Sequence, residues 1–414
     1  KVADTLRPEW VIGIKGKVGE RPEGMKNSDL ATGNVEISVG GLEILAEAET
    51  PPFEIGDDGY EVGEEVRMKY RYLDLRRKRM RDNMVARNNI IKFLRKFFED
   101  RDFVEIETPY ISKSTPEGAR DYLVPSRQQQ GKFYALPQSP QQYKQLLMVG
   151  GLERYFQIVR CFRDEDTRGD RQPEFTQLDV ELSFTSEEEI LAIVEEALLG
   201  LFKELYPDRK VTLQNGKIPR LTYEEAMKKY STDRPDLRKD KGDEDELAPV
   251  FVVDFPMFEA RDDGSWGAAH HPFTMPKVKD SKELKDAFAK DPLSIGAHQY
   301  DVVLNGWEIF GGSIRNHDPE HLRAVFEVLG HKRADIERQF GHMMKAFSYG
   351  VPPHGGIASG LDRLVTILQK EPNIREVIAF PKTGDGRDLM MDAPSEVDKK
   401  QLDELGLELK KKKD

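Results

Sequence analysis

The sequence predicts an α+β fold in which helices flank a mainly antiparallel sheet. Short apolar runs outnumber the helical segments, and several of these runs follow one another with only a turn between them. Antiparallel strands can be joined by short turns, whereas parallel strands need a long crossover connection. The order of the segments therefore favours an antiparallel sheet over a doubly wound parallel one.

The N-terminal part contains two predicted strands, at residues 9–18 and 34–46, joined by a turn-rich segment. Two strands do not make an independently stable sheet. They therefore predict the last part of a small β-barrel, residues 1–50, whose earlier strands we expect to precede Lys1. A linker rich in proline, glycine and acidic residues follows at 51–68, and the main domain spans 69–414.

Residues 71–101 predict a long helix, because apolar side chains recur there at spacings of three, four and seven. Its basic run from Arg76 to Arg81 fits either contact with RNA phosphates or a solvated face, and the second is favoured. The strands predicted after it are Phe133–Leu136, Tyr155–Arg160, Thr176–Phe184, Val250–Phe255, Tyr300–Leu304 and Trp307–Phe310. The helices are Pro140–Met148, Glu187–Leu205, His321–Leu329, Lys332–Tyr349 and Leu361–Leu368.

The composition is that of a globular protein, with 63 Lys+Arg against 75 Asp+Glu and a net charge of −12. An acidic total argues only weakly against nucleic acid, because a large enzyme can carry a local basic face. No segment approaches the about 20 apolar residues of a membrane-spanning helix, so we expect no membrane partner. Cys161 is the only cysteine, which excludes an intramolecular disulfide and favours a cytoplasmic location.

Residues 160–181 read as a strand, a charged loop and a second strand. On the second strand Phe175, Gln177, Asp179 and Glu181 are spaced by two, so all four face one way. One aromatic ring, one amide and two carboxylates do not make an apolar core. This face therefore predicts a surface that binds a polar ligand.

Two segments further along the chain indicate a nucleoside triphosphate. Asp301 and Glu308 lie on runs that should pair across an Asn-Gly turn, and facing carboxylates suit Mg²⁺. Gly360 precedes a helix that carries Arg363 in its first turn, and a helix N-terminus with an arginine suits a polyphosphate.

Two smaller features are ambiguous by themselves. Ser139 could cap a helix on which Gln141 and Lys144 share a face. His270 and His271 are adjacent but have no third soft ligand near them, so a role in holding an anion is favoured over zinc.

These segments together resemble the class II aminoacyl-tRNA synthetases. Residues 162–181 resemble motif 2, residues 360–363 resemble motif 3, and residues 106–109 look like motif 1, which builds the dimer interface in the family. Residues 138–144 and 115–122 are similar to the aspartyl-tRNA synthetases in particular. The likeness covers nearly the whole chain in order.

The resemblance implies the class II antiparallel sheet, preceded by the remnant of an OB-type barrel. It implies ATP-dependent activation of L-aspartate to aspartyl-adenylate, transfer to tRNA(Asp), a Mg²⁺ cofactor and a homodimer. The residues that it implies for catalysis are Arg163 and Arg363. Those for aspartate are Glu117, Ser139, Gln141, Lys144, Arg163, Gln177, Asp179, His270 and Arg315. Those for ATP are Arg163, Asp164, Glu165, Gln172, Phe175, Glu308, Gly360, Leu361, Asp362 and Arg363, and those for the metal are Asp301 and Glu308.

In this reading Lys144 and Arg315 are two cations that await the side-chain carboxylate of aspartate. Three departures from the family pattern accompany it. Phe310 stands where the family usually has glycine, which puts the approach of the backbone to ATP in doubt. The large bacterial insertion between motifs 2 and 3 is missing at residues 231–249. The part of the barrel that reads the anticodon in the family is also missing.

Three other functions fit parts of the sequence. The first is an ATP-dependent ligase that activates aspartate without tRNA, similar to asparagine synthetase, which the two N-terminal strands disfavour. The second is a related synthetase with specificity for asparagine. The third is a catalytically inactive RNA-binding paralogue, which the intact Arg163, Arg363 and carboxylate pair disfavour.

Overall fold

The computed structural model describes residues 3–28, 30, 32–115 and 118–410. The chain divides into two compact units, Lys1–Arg79 and Met80–Asp414. Within the residues described, no helix is both long and apolar enough to cross a membrane.

The first unit contains an antiparallel ribbon and two short helices. Strand β1 (Val11–Glu20) pairs with β2 (Val35–Ala46), as the sequence predicts. Helices α1 (Glu64–Lys69) and α2 (Arg71–Asp74) follow. The long helix predicted from residue 71 therefore begins later, as α3 (Lys78–Glu99).

Some of the basic residues before α3 form ion pairs inside the first unit. The side chain of Arg77 is fully buried, and its Nε donates to Asp74 Oδ1 at 2.9 Å. Arg71 donates to the other oxygen of Asp74 at 2.6 Å, and Arg76 pairs with Glu9 at 2.7 Å. Arg77 is therefore a structural residue and presents no charge to RNA.

The second unit is built on one large sheet. In chain order its strands are β3 (Val104–Glu105), β4 (Leu123–Pro125), β5 (Phe133–Ala135), β6 (Arg154–Phe162), β7 (Glu174–Ser183), β8 (Lys210–Val211), β9 (Arg220–Thr222), β10 (Glu246–Leu247), β11 (Pro249–Val253), β12 (Phe258–Ala260), β13 (Trp266–Ala268), β14 (Gln299–Leu304), β15 (Trp307–Ile314) and β16 (His354–Gly360). Eight of them form the sheet, in the order β3-β6-β7-β16-β15-β14-β11-β9. The two edge pairs are parallel and all internal pairs are antiparallel. The predicted α+β class is confirmed.

The helices lie between and after groups of these strands along the chain. After α3 they are α4 (Gln141–Val149), α5 (Glu187–Leu205), α6 (Tyr223–Tyr230), α7 (Ser281–Lys290), α8 (Pro319–Val328), α9 (Arg333–Phe347), α10 (Leu361–Gln369) and α11 (Lys399–Leu405). Short 3₁₀ turns lie at Ala3–Thr5, Glu23–Met25, Pro292–Ser294 and Ile374–Val377.

The sheet has one apolar face and one polar face. Leu178, Val180 and Leu182 of β7 join the main core, which also includes buried residues of α3, α5 and α10. The intervening residues Gln177 and Asp179 line a cavity instead. The spacing of two along β7 therefore separates the core from a polar surface that lines the cavity, as the sequence predicts.

The β14–β15 hairpin brings the predicted acidic pair together through an irregular register. Asn305 and Gly306 turn with φ of 52° and 84°, the left-handed values that a two-residue hairpin requires. A bulge after Val302 places Asp301 opposite Gly311. Phe310 lies opposite Val302, is 2% exposed and belongs to the main core. The residue beside the acidic pair is therefore Gly311, while Phe310 packs into the core and also lines the cavity described below.

We expect Phe310→Ala to lower the free energy of unfolding by about 3–5 kcal/mol, because it removes a buried ring and leaves a cavity. Urea unfolding measures the change. Phe380→Ala is the matched control, since Phe380 is 50% exposed and its loss should cost less than about 0.5 kcal/mol. Equal stability of Phe310→Ala and wild type would show that the ring lies outside the core.

Candidate active site

A cavity of about 390 Å³ opens on the polar face of the sheet. The first turn of α4, strands β7, β15 and β16, and the start of α10 contribute to its wall. It brings together most of the residues that the sequence predicts for one site: Ser139, Gln141, Lys144, Arg163, Glu165, Gln172, Phe175, Gln177, Asp179, His270, Glu308, Arg315, Gly360, Asp362 and Arg363.

Three predicted residues are not part of this wall, and a fourth, Glu117, lies outside the residues that the structure describes. The side chain of Leu361 is in the main core. Asp164 lines an adjoining surface depression with Arg120, and this depression shares Glu165, Asp166 and Arg171 with the cavity wall. Any contact of Leu361 with a ligand in the cavity would therefore involve its backbone. Asp301 is only 3% exposed and lies behind Gly311.

A buried cluster of four charges forms the deepest part of the site. Lys144 Nζ lies 2.8 Å from Asp179 Oδ1 and 3.2 Å from Glu181 Oε2. Arg315 donates to both oxygens of Glu181, from Nε at 2.9 Å and from Nη2 at 3.1 Å. Two cations and two anions cancel, which is how buried charges are tolerated. Lys144 and Arg315, which the resemblance implies for the side-chain carboxylate of aspartate, are therefore not vacant, because each already has a carboxylate partner.

The helix that delivers Lys144 begins one residue later than a Ser139 cap requires. Pro140 occupies the N-cap position, and no side-chain hydrogen bond caps the helix. Gln141 and Lys144 nevertheless lie on its buried face and line the cavity together, as predicted.

Several buried polar atoms in the cavity wall have no hydrogen-bond partner among the described residues. They are Gln141 Nε2, Arg163 Nε, Asp179 Oδ2 and His271 Nε2. The guanidinium of Arg163 lies over the Phe175 ring, 5.0 Å from its centroid. An unpartnered buried polar atom costs free energy, so the cavity is prepared for a ligand that offers both acceptors and a donor.

The sequence reasoning chose His270 and missed its neighbour. His271 Nδ1 accepts a hydrogen bond from the backbone N–H of Phe273 at 3.2 Å. Burial, followed by Arg315, Lys144 and Arg163, lowers the pKa of His271 to about 3. A neutral ring whose Nδ1 accepts must carry its proton on Nε2, so His271 presents an N–H to the cavity. The adjacent pair of histidines was the available signal, but it does not show which ring carries the unpaired N–H.

The other end of the cavity is organised around Arg363. Its Nη1 donates to the backbone oxygen of Glu308 at 3.0 Å, and its Nη2 donates to Asp170 Oδ2 at 3.1 Å. Asp170 was not predicted. The neighbouring Asp362 has a bracing role, since it accepts from Arg87 at 2.5 Å and from the backbone N–H of Thr176 at 3.0 Å.

Asp301 and Glu308 suit a hard cation. A Cβ built on Gly311 would lie 3.2 Å from Asp301 Oδ1 and 3.5 Å from Glu308 Oε1, so the two carboxylates converge beside this glycine. Burial and the nearby charge of Glu308 raise the pKa of Asp301 well above its usual range. Gln299, which was also missed, donates to Asp301 Oδ1 at 2.9 Å. Two converging oxygen ligands fit Mg²⁺ shared with phosphates, although no group of three metal-ligating side chains occurs among the described residues.

Comparison with known proteins shows the family to which the chain belongs. A family model described as tRNA synthetases class II (D, K and N) matches residues 63–384. The chain belongs to this family. The family that the sequence motifs predict is thereby confirmed, together with its antiparallel fold.

Relatives match along nearly the whole chain. An aspartate–tRNA(Asp/Asn) ligase of Rubrobacter xylanophilus is 40% identical over 98% of this chain and 87% of its own length. An aspartate–tRNA ligase of Bacillus licheniformis is 39% identical over 100% of this chain and 89% of its own length. The first alignment runs over 534 positions against 414 residues in this chain, so at least 120 positions of the relative have no counterpart here.

Solved structures show the same fold. An asparaginyl-tRNA synthetase from Pyrococcus horikoshii, complexed with asparaginyl-adenylate, has a TM-score of 0.70 at 22% identity and covers 92% of this chain and 85% of its own. An aspartyl-tRNA synthetase from Entamoeba histolytica has a TM-score of 0.68 at 23% identity, with coverage of 90% and 77%. The shared feature is the fold of this class II synthetase.

We expect Glu181→Gln to lower the free energy of unfolding at pH 7 by about 3–5 kcal/mol, because it leaves a buried cation uncompensated. Burial alone would raise the pKa of Glu181, but Arg315 and Lys144 lower it to about 2. The unfolded chain takes up this proton first, so wild type should lose the stabilisation as pH falls from about 4.5 towards 2.

Urea unfolding at pH 7 and at pH 3 checks this, and the difference between variant and wild type should be smaller at pH 3. Glu188→Gln is the control, since Glu188 pairs with Arg220 at an exposed position and should cost at most about 1 kcal/mol. A difference that does not change with pH would contradict a lowered pKa for Glu181.

Proposed function

We propose that this class II synthetase is an aspartate–tRNA ligase, which activates L-aspartate with ATP and transfers it to the 3′ end of tRNA(Asp). The observation that carries the proposal is the set of unpartnered buried atoms on Gln141, Arg163 and Asp179 in one cavity. Two donors and one acceptor at that place are complementary to an amino acid in its zwitterionic form. The names of the relatives support the same activity.

The charged cluster supplies selectivity for a carboxylate side chain. Lys144 has three N–H donors and uses two of them on Asp179 and Glu181. Arg315 has five donors, of which two go to Glu181 and one to Ser313 Oγ at 2.7 Å. The remaining donors can bind the carboxylate of aspartate. The amide nitrogen of asparagine would meet donors only, and a buried unpaired N–H is costly.

The amino-acid ammonium is held beside the charged cluster, at the second oxygen of Asp179. Asp179 Oδ2 accepts one of its protons, and Ser139, Gln177 and Glu117 complete this side in the proposal. Gln141 and His270 assist at the side-chain carboxylate, and we add His271 through its Nε2–H. These assignments rest on the shared cavity wall for every residue except Glu117.

The nucleotide occupies the rest of the cavity. Phe175 stacks on adenine, while Glu165 and Gln172 border it together with the backbone of Asp164. Gln172 is held by two hydrogen bonds with the backbone of Lys382, at 2.7 and 3.0 Å. Gly360, Leu361 and Asp362 fix the start of α10, so that Arg363 faces the outer phosphates.

The chemistry is positioning and charge neutralisation. An oxygen of the aspartate α-carboxylate attacks the α-phosphorus of ATP, and the bond to the bridging oxygen breaks, so pyrophosphate leaves with that electron pair. Arg163 contacts both the attacking carboxylate and the α-phosphate and stabilises the charge that develops there. Asp301 and Glu308 would hold Mg²⁺, which would neutralise phosphate charge. The 3′-hydroxyl of tRNA then attacks the carbonyl carbon of the adenylate, the bond from that carbon to the phosphate oxygen breaks, and AMP and the hydroxyl proton leave. A cytoplasmic location is part of the proposal.

Pyrophosphate exchange into ATP, with Mg²⁺ and L-aspartate, L-asparagine or L-lysine in turn, tests the activation step. We expect exchange with aspartate only, and a loss of about 100-fold or more in Arg163→Ala, since a charge-stabilising donor is removed. Arg338→Ala is the matched control, because this arginine is exposed on α9 and pairs with Asp335.

Charging of tRNA(Asp) and tRNA(Asn) tests the second step, since relatives carry both the narrower and the broader name. Exchange with aspartate but no charging of either tRNA would favour the ligase that works without tRNA. Exchange with asparagine alone would overturn the proposed specificity.

We also propose a homodimer through the motif 1 region. This segment follows the edge strand β3, and Tyr110 and Ile111 beside it are 45% and 53% exposed. Apolar side chains at an open sheet edge are typical of an interface.

Ile111→Asp should convert the dimer into a monomer, because it places a charge in that apolar interface. Light scattering after size-exclusion chromatography measures the mass. Val397→Asp is the matched control, at an equally exposed position of 53%, and should leave the mass unchanged. A wild type that is monomeric at micromolar concentration and fully active would remove the proposed dimer.

A further inference from the structure

A second cavity adjoins the proposed active site on the side of Arg363. Its volume is about 450 Å³, and Asp170, Glu308 and Arg363 belong to the walls of both cavities. The remaining wall consists of Gly169, Thr232, Arg234, Gly306, Trp307 and Pro372. Nothing in the aspartate or adenine contacts proposed above uses this space.

Arg234 is the cation of this second cavity that has no close carboxylate partner among the described residues. Its side chain is 50% exposed, and its nearest carboxylate is that of its neighbour Asp233, with Nε at 3.6 Å from Oδ1. That separation is too long for a good hydrogen bond. Arg363, by contrast, already donates to Glu308 and Asp170. Within the described part of the chain, Arg234 is therefore the cation here whose donors remain open to a ligand.

The local fold fixes the position of Arg234. Its backbone N–H donates to Thr232 Oγ1 at 3.1 Å, and Asp236 accepts from the backbone N–H of Arg238 at 3.1 Å. The β14–β15 turn packs against the same segment, because a Cβ on Gly306 would lie 3.5 Å from Asp236 Cβ and 3.9 Å from the Arg234 oxygen. The hairpin that carries Glu308 and the segment that carries Arg234 are thus braced against each other.

We propose that this second cavity binds the leaving pyrophosphate, with Arg234 as a binding residue. The inference rests on the proposed function, since it assigns the exit side of the same reaction. When the α-phosphorus gains its bond to aspartate, the bridging oxygen departs with the bonding electrons and pyrophosphate carries the negative charge. The second cavity shares Arg363 and Glu308 with the cavity that takes the phosphates in the proposal, and Arg234 meets the anion there with bidentate donors.

Binding of inorganic pyrophosphate to the full chain with Mg²⁺ tests this directly by isothermal titration. Arg234→Ala should weaken binding about ten-fold or more, the effect of losing a charge-assisted hydrogen bond. Arg234→Lys should recover part of the loss, and Lys239→Ala should bind like wild type. Lys239 is an exposed cation of the same segment that does not line the cavity.

The exchange reaction provides the second readout. In Arg234→Ala the KM for pyrophosphate should rise by a similar factor, while the KM for aspartate stays unchanged. Pyrophosphate binding equal to wild type in Arg234→Ala would overturn the inference, as would an effect confined to the KM for tRNA. The titration needs no aspartate activation, so a failure of the proposed function would leave it informative.

Discussion

The ion cluster of Lys144, Asp179, Glu181 and Arg315 is the constraint on which the site depends. Its members come from α4, β7 and the end of β15, so the pairs join one helix to two strands that are not adjacent in the sheet. Glu181 bonds to both cations. Loss of either carboxylate would leave a buried positive charge, and the cost of that charge keeps the three elements in one arrangement.

Strand β7 contributes side chains to both the core and the cavity. On β7, Leu178 and Val180 pack into the core while Gln177 and Asp179 face the cavity. A shift of one residue in the pairing of β7 would exchange the two sets. Core packing on one face of β7 therefore fixes the positions of Gln177 and Asp179 on the other face. No loop is needed to hold these two side chains in place.

The main strands and helices could be predicted from local spacing, whereas most of the site residues came from the resemblance to the class II synthetases. The spacing of two on β7, the Asn-Gly turn and the helix beginning near Gly360 each need only nearby residues. Pairing within the site could not be recovered, because Lys144 and Glu181 meet only in the folded chain. This is why the two cations were expected to be vacant.

Phe310 shows a second limit of prediction from the sequence. Phe310 stands where the family usually has glycine, so the sequence put the approach of the backbone to ATP in doubt. In the structure a bulge after Val302 interrupts the alternation along β15, and Phe310 belongs to the core while it also lines the cavity. A bulge depends on how two strands pair with each other, and the local sequence does not indicate it.

The two ends of the cavity differ in how their charges are satisfied, and the difference matches the proposed reaction. At the amino-acid end, Lys144 and Arg315 are held by carboxylates before any ligand binds, so recognition of a side chain requires little rearrangement. In the middle, Arg163 lies over Phe175 with its Nε unpartnered. A cation left without a partner in the ground state gains most when negative charge develops beside it. In the proposed reaction the paired cations therefore provide specificity, and Arg163, whose Nε has no partner among the described residues, acts where charge develops.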